Sequence, residues 1–386
     1  MSYALALLSE LGKNLQGSEI RRLFAISMHP GVISFAGGLP DPGSFPGDEI
    51  GRITLELLSS RGSVYLQYGS SRGSQECIDA AVEQMKKRGL HSSPEKVIIT
   101  SGSQQAIDIV TKVFINAGET ILVENPTFIG ALGVFHNANA HLQGIPMDQD
   151  GICLEELEKL LAKDRDHQRV VKFIYLIPNF QNPSGLTLSQ KKRKELVEIA
   201  KKYNIFILED DPYGELWFEG GQELVRPIKS YDDEDRVMYT SSFSKIISPG
   251  LRLGWLAAPE DIIERFDMAK QMLDVCSPPL TQGIAAKLSS SGYLDQHILK
   301  LRQIYRSRRD SMLMALEEYM PKEVHWTRPK GGFFIWLTCP EKVNALKMLP
   351  VALENNVAYV IGSAFYADGR GQNTLRISFC HENDET

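Results

Sequence analysis

One lysine in this chain has the neighbours that make an amine reactive. The stretch Ser241-Ser242-Phe243-Ser244-Lys245-Ile246-Ile247-Ser248-Pro249-Gly250-Leu251-Arg252 sets Lys245 among hydroxyl and apolar residues. Partial desolvation lowers a lysine's pKa and makes its amine nucleophilic. Ser242 and Ser244 before it, with Arg252 after it, are donors of the kind that hold a phosphate. The combination is a nucleophile beside an anion site.

Such a pair needs elements to position it. The chain has 386 residues, enough for a large core and two domains. Between about residue 95 and residue 260, strand-like runs alternate with helix-like stretches. Lys96–Thr100 is a short β-branched run, and Ile121–Val123, Phe173–Ile177 and Ile205–Leu208 are apolar throughout. That pattern fits parallel strands covered on both faces. Ser189–Tyr203 between them is amphipathic, with Leu196, Ile199 and Ala200 on one side. Alternating strands and helices predict an α/β sheet, whose ligands bind beyond the carboxyl ends of the strands. The C-terminal third reads as a smaller α+β unit. A helical region over about Ile284–Glu318 precedes the strand-like Gly332–Leu337, Val357–Ile361 and Thr374–Phe379. The first 45 residues read as an arm crossing the surface.

The residues just after each apolar run are therefore the place to look. Ser101-Gly102-Ser103-Gln104-Gln105 follows the first and opens a helix carrying Ile107, Val110 and Phe114. A phosphate is well received at such a helix start, although Ser103 also reads as a plain N-cap. After the second run, Phe128 is placed to stack on a planar ring or to be a core aromatic. After the third, Asn182 precedes Pro183 in a turn and could meet a ring hydroxyl. After the fourth comes Glu209-Asp210-Asp211-Pro212-Tyr213. A carboxylate ending an apolar strand needs a partner. A helix N-terminus, a magnesium ion or a pyridinium nitrogen would each serve. An aspartate on that nitrogen keeps the ring of pyridoxal phosphate protonated as an electron sink. Tyr213 would reach the same ring's phenolic oxygen. Their joint order along successive strand ends argues for one site rather than five separate turns.

Asn182-Pro183-x-Gly185, Asp210-x-x-Tyr213 and Ser242-x-x-Lys245 with Arg252 form a specific set. With it, the chain resembles the fold-type I pyridoxal-phosphate enzymes, and among them the class I/II aminotransferases. Ser18-Glu19-Ile20-Arg21, Ala36-Gly37-Gly38-Leu39-Pro40, Leu66-Gln67-Tyr68-Gly69 and Ser103-Gln104-Gln105 are similar to the subgroup of 2-aminoadipate and kynurenine aminotransferase II-like enzymes. The resemblance runs from about Ser18 to Ser378. It implies a large domain over 46–283 with a mostly parallel seven-stranded sheet flanked by helices. A small C-terminal domain over 284–386 and an N-terminal arm over 1–45 complete it. Lys245 would carry the cofactor, Asp210 would pair with its pyridine nitrogen, and Asn182 and Tyr213 would contact its ring oxygen. Phe128 stands where a tyrosine is more usual, so stacking is kept and a hydroxyl is lost. Ser103, Gln104, Ser242, Ser244 and Arg252 would hold the phosphate. Tyr68 would reach the phosphate in the neighbouring subunit of a homodimer. Arg376 would bind the substrate α-carboxylate with two parallel hydrogen bonds. Gly38 would line the substrate pocket, and Arg21 would face the substrate side chain.

The implied reaction is a ping-pong transfer of an amino group from an L-amino acid to a 2-oxo acid such as 2-oxoglutarate. The donor would be 2-aminoadipate or an aromatic or aliphatic amino acid. β-Lyase, racemase or decarboxylase chemistry on the same fold is an alternative, as is a cofactor-sensing regulatory domain. A formal net charge of −6 argues against a general nucleic-acid surface. No apolar run is long enough to cross a bilayer, and Met1–Gly12 lacks a signal-peptide pattern. The five scattered cysteines fit free thiols in a reducing cytoplasm, and no residue cluster has metal-ligand spacing.

Overall fold

A short strand, β1 (Ile33–Ser34), precedes a main sheet of eight strands: β2 (Val97–Thr100), β3 (Thr120–Asn125), β4 (His141–Asp148), β5 (Gly151–Ile152), β6 (Val171–Leu176), β7 (Phe206–Asp210), β8 (Val237–Ser242) and β9 (Gly254–Ala257). The computed structural model describes residues 7–9, 12–13, 31–166 and 170–383. The sheet order is β2-β9-β8-β7-β6-β3-β4-β5. The run from β8 to β4 is parallel throughout, and β9 is antiparallel to both its neighbours. Seven of these strands match the seven expected. The eighth, β5, is a two-residue antiparallel extension at the edge. Strands β2, β3, β6, β7 and β8 thus all end at one edge, which sets their last residues side by side.

The apolar runs make inner strands because both sheet faces are covered. Ile121, Val123, Phe173, Tyr175 and Leu208 pack into one core, while Leu122, Ile174, Leu176 and Ile207 pack into another on the opposite face. Alternate residues of one strand therefore feed different cores, which favours apolar residues along its length.

The helices are α1 (Gly47–Tyr65), α2 (Gln75–Lys87), α3 (Ser103–Phe114), α4 (Ile129–Asn137), α5 (Leu154–Asp166), α6 (Gln190–Tyr203), α7 (Gly221–Leu224), α8 (Glu260–Asp274), α9 (Pro279–Ser290), α10 (Tyr293–Tyr319) and α11 (Ala345–Glu354). Ser189 caps α6 by accepting the Lys192 amide, and Asn204 closes it in the left-handed conformation. The single helical region expected over 284–318 is two helices, broken where Gly292 takes φ 75°. Helix α9 runs unbroken across the expected domain boundary at 283/284 and packs on α1 and α2.

The second sheet is antiparallel: β10 (His325–Trp326), β11 (Phe334–Thr338), β14 (Thr374–Ser378) and β13 (Val360–Ile361), in that order. The apolar run Val357–Ile361 splits at Tyr359. Its first half, β12 (Val357–Ala358), pairs in parallel with β1. The early segment is thereby stitched to the small unit. Phe35 receives the Ser378 amide on its carbonyl, and Asp41 pairs with Arg308.

Candidate active site

Strand β2 ends at Thr100, and Ser101-Gly102 turns the chain into α3. Gly102 has φ 88° and occupies the cap position expected for Ser103, which instead opens the helix. A Cβ on Gly102 would lie 2.9 Å from Arg252 Nη2, so glycine serves both the backbone and the close approach. No side chain caps α3. The positive end of its dipole therefore abuts the cleft that Gly102, Ser103, Gln104 and Arg252 line. Arg252 is held by donating from Nη2 to the Ser101 carbonyl, 2.8 Å. Ser242 Oγ lies 2.8 Å from Ser244 Oγ and 2.9 Å from the Leu253 carbonyl, which fixes both serines on the cleft wall.

The middle of the cleft is more deeply buried. Asp210 ends β7 and is 1% exposed. Its Oδ2 accepts from the Tyr175 hydroxyl at 2.9 Å, while its buried Oδ1 has no partner. Burial pushes this carboxyl up to about 7. A buried oxygen without a donor is costly unless a ligand supplies one. Tyr213 packs edge-on against Phe333 and Phe334, with centroids 5.5 and 5.8 Å away. Phe128 lines the same cleft from the start of α4.

Lys245 donates from Nζ to the Gly38 carbonyl at 2.9 Å, and burial lowers its amine to about 8. Near neutral pH such an amine is within reach of its neutral, nucleophilic form. Gly38 is pressed against the small unit: a Cβ there would lie 2.7 Å from Phe334 Cζ. Arg376, on β14, is 2% exposed. Its Nη1 donates to Asn182 Oδ1 at 2.8 Å and its Nη2 to the Ala36 carbonyl at 2.6 Å. Its buried Nε has no partner, and its guanidinium lies 4.2 Å over the Phe334 ring. Burial pulls its pKa down to about 10.

These side chains enclose a cavity of about 260 Å³. It brings together Ser103, Gln104, Phe128, Asn182, Asp210, Tyr213, Ser242, Ser244, Lys245, Arg252, Gly38 and Arg376. Tyr68 is not on its wall and is 78% exposed. Arg21 lies outside the described residues. Among the described residues no group of three or more His, Cys, Asp or Glu is placed to hold a metal ion. The five cysteines are unpaired.

The unpartnered Asp210 Oδ1, the low-pKa amine and the anion-ready helix start suit pyridoxal phosphate. The Aminotransferase class I and II family model matches residues 43–386. The chain belongs to the class I and II aminotransferases. It is 44% identical to aromatic-amino-acid aminotransferase 1 of Thermococcus litoralis, over 98% of this chain and 90% of that one. It is 37% identical to the 2-aminoadipate transaminase of Thermus thermophilus, over 95% and 89%. The crystal structure of Pyrococcus horikoshii kynurenine aminotransferase in complex with PMP is 39% identical, with TM-score 0.95, covering 100% of this chain and 95% of that one. This aminotransferase has the fold-type I architecture and depends on pyridoxal phosphate.

Two residues at the site escape a reading by strand ends. Tyr175 lies inside the apolar run of β6, one residue before its end, where a tyrosine is indistinguishable from core. The signal available was general: a buried tyrosine hydroxyl needs a partner. Glu124, near the end of β3, accepts from the Ile177 amide at 2.9 Å and from Gln181 Nε2 at 3.0 Å. Gln181 Nε2 also lies 2.8 Å from the Pro126 carbonyl. The turns bearing Phe128 and Asn182 are thereby tied together. Burial pushes Glu124 up to about 8.

Proposed function

We propose that this aminotransferase transfers the amino group of an aromatic or other apolar L-amino acid to a 2-oxo acid, with 2-oxoglutarate as the acceptor. One observation carries the site assignment: a fully buried arginine with a free Nε lies on the same small cavity as a low-pKa lysine and a carboxylate with an unpartnered oxygen. Bound pyridoxal phosphate supplies an electron sink that lets a substrate α-proton leave.

The chain's own residues do the rest. Asp210 Oδ1 would accept from the pyridine nitrogen and keep its proton in place. Asn182 and Tyr213 would hold the ring oxygen, and Phe128 would cover a ring face. Ser103, Gln104, Ser242, Ser244 and Arg252 would hold the phosphate at the start of α3. Arg376 grips the substrate α-carboxylate and so aims its α-carbon. The Lys245 amine would hold the cofactor and, as a general base and acid, would move the substrate α-proton. Leu39, Phe128 and Phe334 on the wall suit an apolar side chain, in line with the aromatic and kynurenine names of two similar proteins. An acidic donor such as 2-aminoadipate would need the Arg21 cation.

We further propose a homodimer in which Tyr68 reaches the phosphate of the partner's site. Its exposure, beside exposed Leu66, supports this. The break between the large and small units we place at Ser291–Gly292, beyond the continuous α9. No helix among the described residues is long and apolar enough to cross a membrane, and we propose a cytoplasmic location.

A panel of single L-amino acids with 2-oxoglutarate as acceptor tests the function. Glutamate formation fastest with phenylalanine, tyrosine or kynurenine is expected. A preference for 2-aminoadipate over all of these would overturn the apolar assignment.

A further inference from the structure

An unassigned polar cluster lies beside the turn that leads into α3, centred on Asp274 at the end of α8. Asp274 Oδ2 accepts from Ser101 Oγ and from Gln105 Nε2, both at 2.8 Å. Its Oδ1 accepts from Lys270 Nζ, also at 2.8 Å. The Lys270 side chain is wholly buried in this ion pair. Gln105 Oε1 in turn accepts the Ser101 amide at 2.7 Å, and the Ser101 carbonyl accepts Arg252 Nη2 at 2.8 Å.

Ser101 is therefore held at its amide, its carbonyl and its hydroxyl. One carboxylate stands behind two of those three ties, and the third is the Arg252 guanidinium itself. Ser101 is also the residue before Gly102, whose lack of a Cβ lets Arg252 approach. A bare carboxylate so close to an anion site would repel the anion. Lys270 cancels that charge at contact distance. Asp274 thus fixes the turn without opposing a phosphate. Burial raises the Asp274 carboxyl, and the donations from Lys270, Gln105 and Ser101 more than offset it, so the carboxyl stays below its ordinary value and charged.

We propose that Asp274 is a positioning residue for the cofactor's phosphate. It acts through Ser101 on Arg252 and on the start of α3. The inference rests on the assignment of Ser103 and Arg252 to the phosphate. It is distinct from that assignment because Asp274 does not line the cleft.

The test is equilibrium binding to the full-length, cofactor-free chain, with two probes: pyridoxal 5′-phosphate and pyridoxal, which lacks the phosphate. Asp274→Asn should weaken the phosphorylated probe by about 10-fold and leave pyridoxal within about 2-fold, since only hydrogen bonds on the phosphate side are lost. Ser101→Ala removes the hydroxyl's bonds to Asp274 and Ser277 but leaves Gln105 on Asp274, and should move the same ratio by about 3-fold, keeping the test open should the first variant fold poorly. Equal weakening of both probes, or unchanged binding of the phosphorylated one, overturns the role of Asp274. A wild-type chain that binds the two probes equally would instead overturn the phosphate assignment beneath it.

Discussion

The two sides of the cleft are built on different terms. On the Arg376 side, polar groups are buried, or half-buried in the case of Lys245, and held by named partners. Arg376 is tied to Asn182 and to the Ala36 carbonyl, Asp210 to Tyr175, and Lys245 to the Gly38 carbonyl. Each keeps one function for a ligand: an unused Nε, an unpartnered Oδ1, an amine. On the Arg252 side the arginine itself is exposed, and the proposed anion holders are that guanidinium, Gln104, three serines and a helix end. The contrast teaches where each kind of chemistry belongs. Proton movement and carboxylate recognition need fixed dipoles in a dry environment. Holding a phosphate needs only converging donors and positive potential, which tolerate water.

Substitutions on the buried side should therefore cost turnover that added cofactor does not restore. Lys245→Ala removes the proton carrier, and both half-reactions should fall on the order of 10⁴-fold in rapid-mixing assays. Arg376→Leu should lower kcat/KM for the amino acid by about 10²-fold, chiefly through KM, because Asn182 Oδ1 also loses its buried donor. Saturating pyridoxal phosphate should leave that loss unchanged. Recovery with excess cofactor would erase the distinction between the two sides.

Tyr175→Phe takes away the one described donor to Asp210 while leaving the core volume almost unchanged. Cofactor affinity should fall about 10-fold, as for loss of a hydrogen bond to a charged acceptor. The cofactor's absorbance titration should shift as well, which a packing defect alone would not produce.

The smallest effect concerns stability without cofactor. Asp210 has an ordinary pKa near 3.8 and is pushed up to about 7 when folded. A carboxyl raised in this way is no burden below about pH 4. It costs progressively more as the pH rises toward 7, and the full cost remains above that. Asp210→Asn should therefore raise the Tm of the cofactor-free chain by a few degrees at pH 8, on the order expected for ~1 kcal/mol. The gain should shrink as the pH falls through 5. A gain that is constant with pH would mean that the buried carboxylate is not its source.

Much of this contrast is legible in the sequence, and unevenly so. The apolar runs ending at Thr100, Val123, Ile177 and Leu208 announce themselves, because a strand covered on both faces favours apolar side chains. Strand β8 does not. Val-Met-Tyr-Thr-Ser-Ser is half polar, yet fully buried, since its hydroxyls bond to neighbouring backbone: Thr240 to the Trp255 carbonyl and Ser241 to the Asp211 carbonyl. Strand β4 carries Gly144 and Pro146 and is partly exposed near the sheet edge, so it shows no inner-strand pattern. Apart from Arg376, in the middle of β14, the groups proposed to touch ligand sit at or just beyond strand ends and can be named by position. The groups that position them cannot. Tyr175 looks like core, and Asp274 looks like one more charge on a helix whose neighbours are largely exposed. Their roles come from contacts across 35 and 173 residues of chain, which no local pattern encodes.

The central claim is that this cleft moves an amino group and does not break other bonds at the α-carbon. The most direct measurement mixes the pyridoxal-phosphate-loaded enzyme with phenylalanine alone, with no acceptor, and counts products per site. Transamination predicts one equivalent of 2-oxo acid per site, a halt, and a cofactor converted to its amine form that 2-oxoglutarate restores. Continued turnover without an acceptor, with release of ammonia or carbon dioxide or with racemised amino acid, would contradict it.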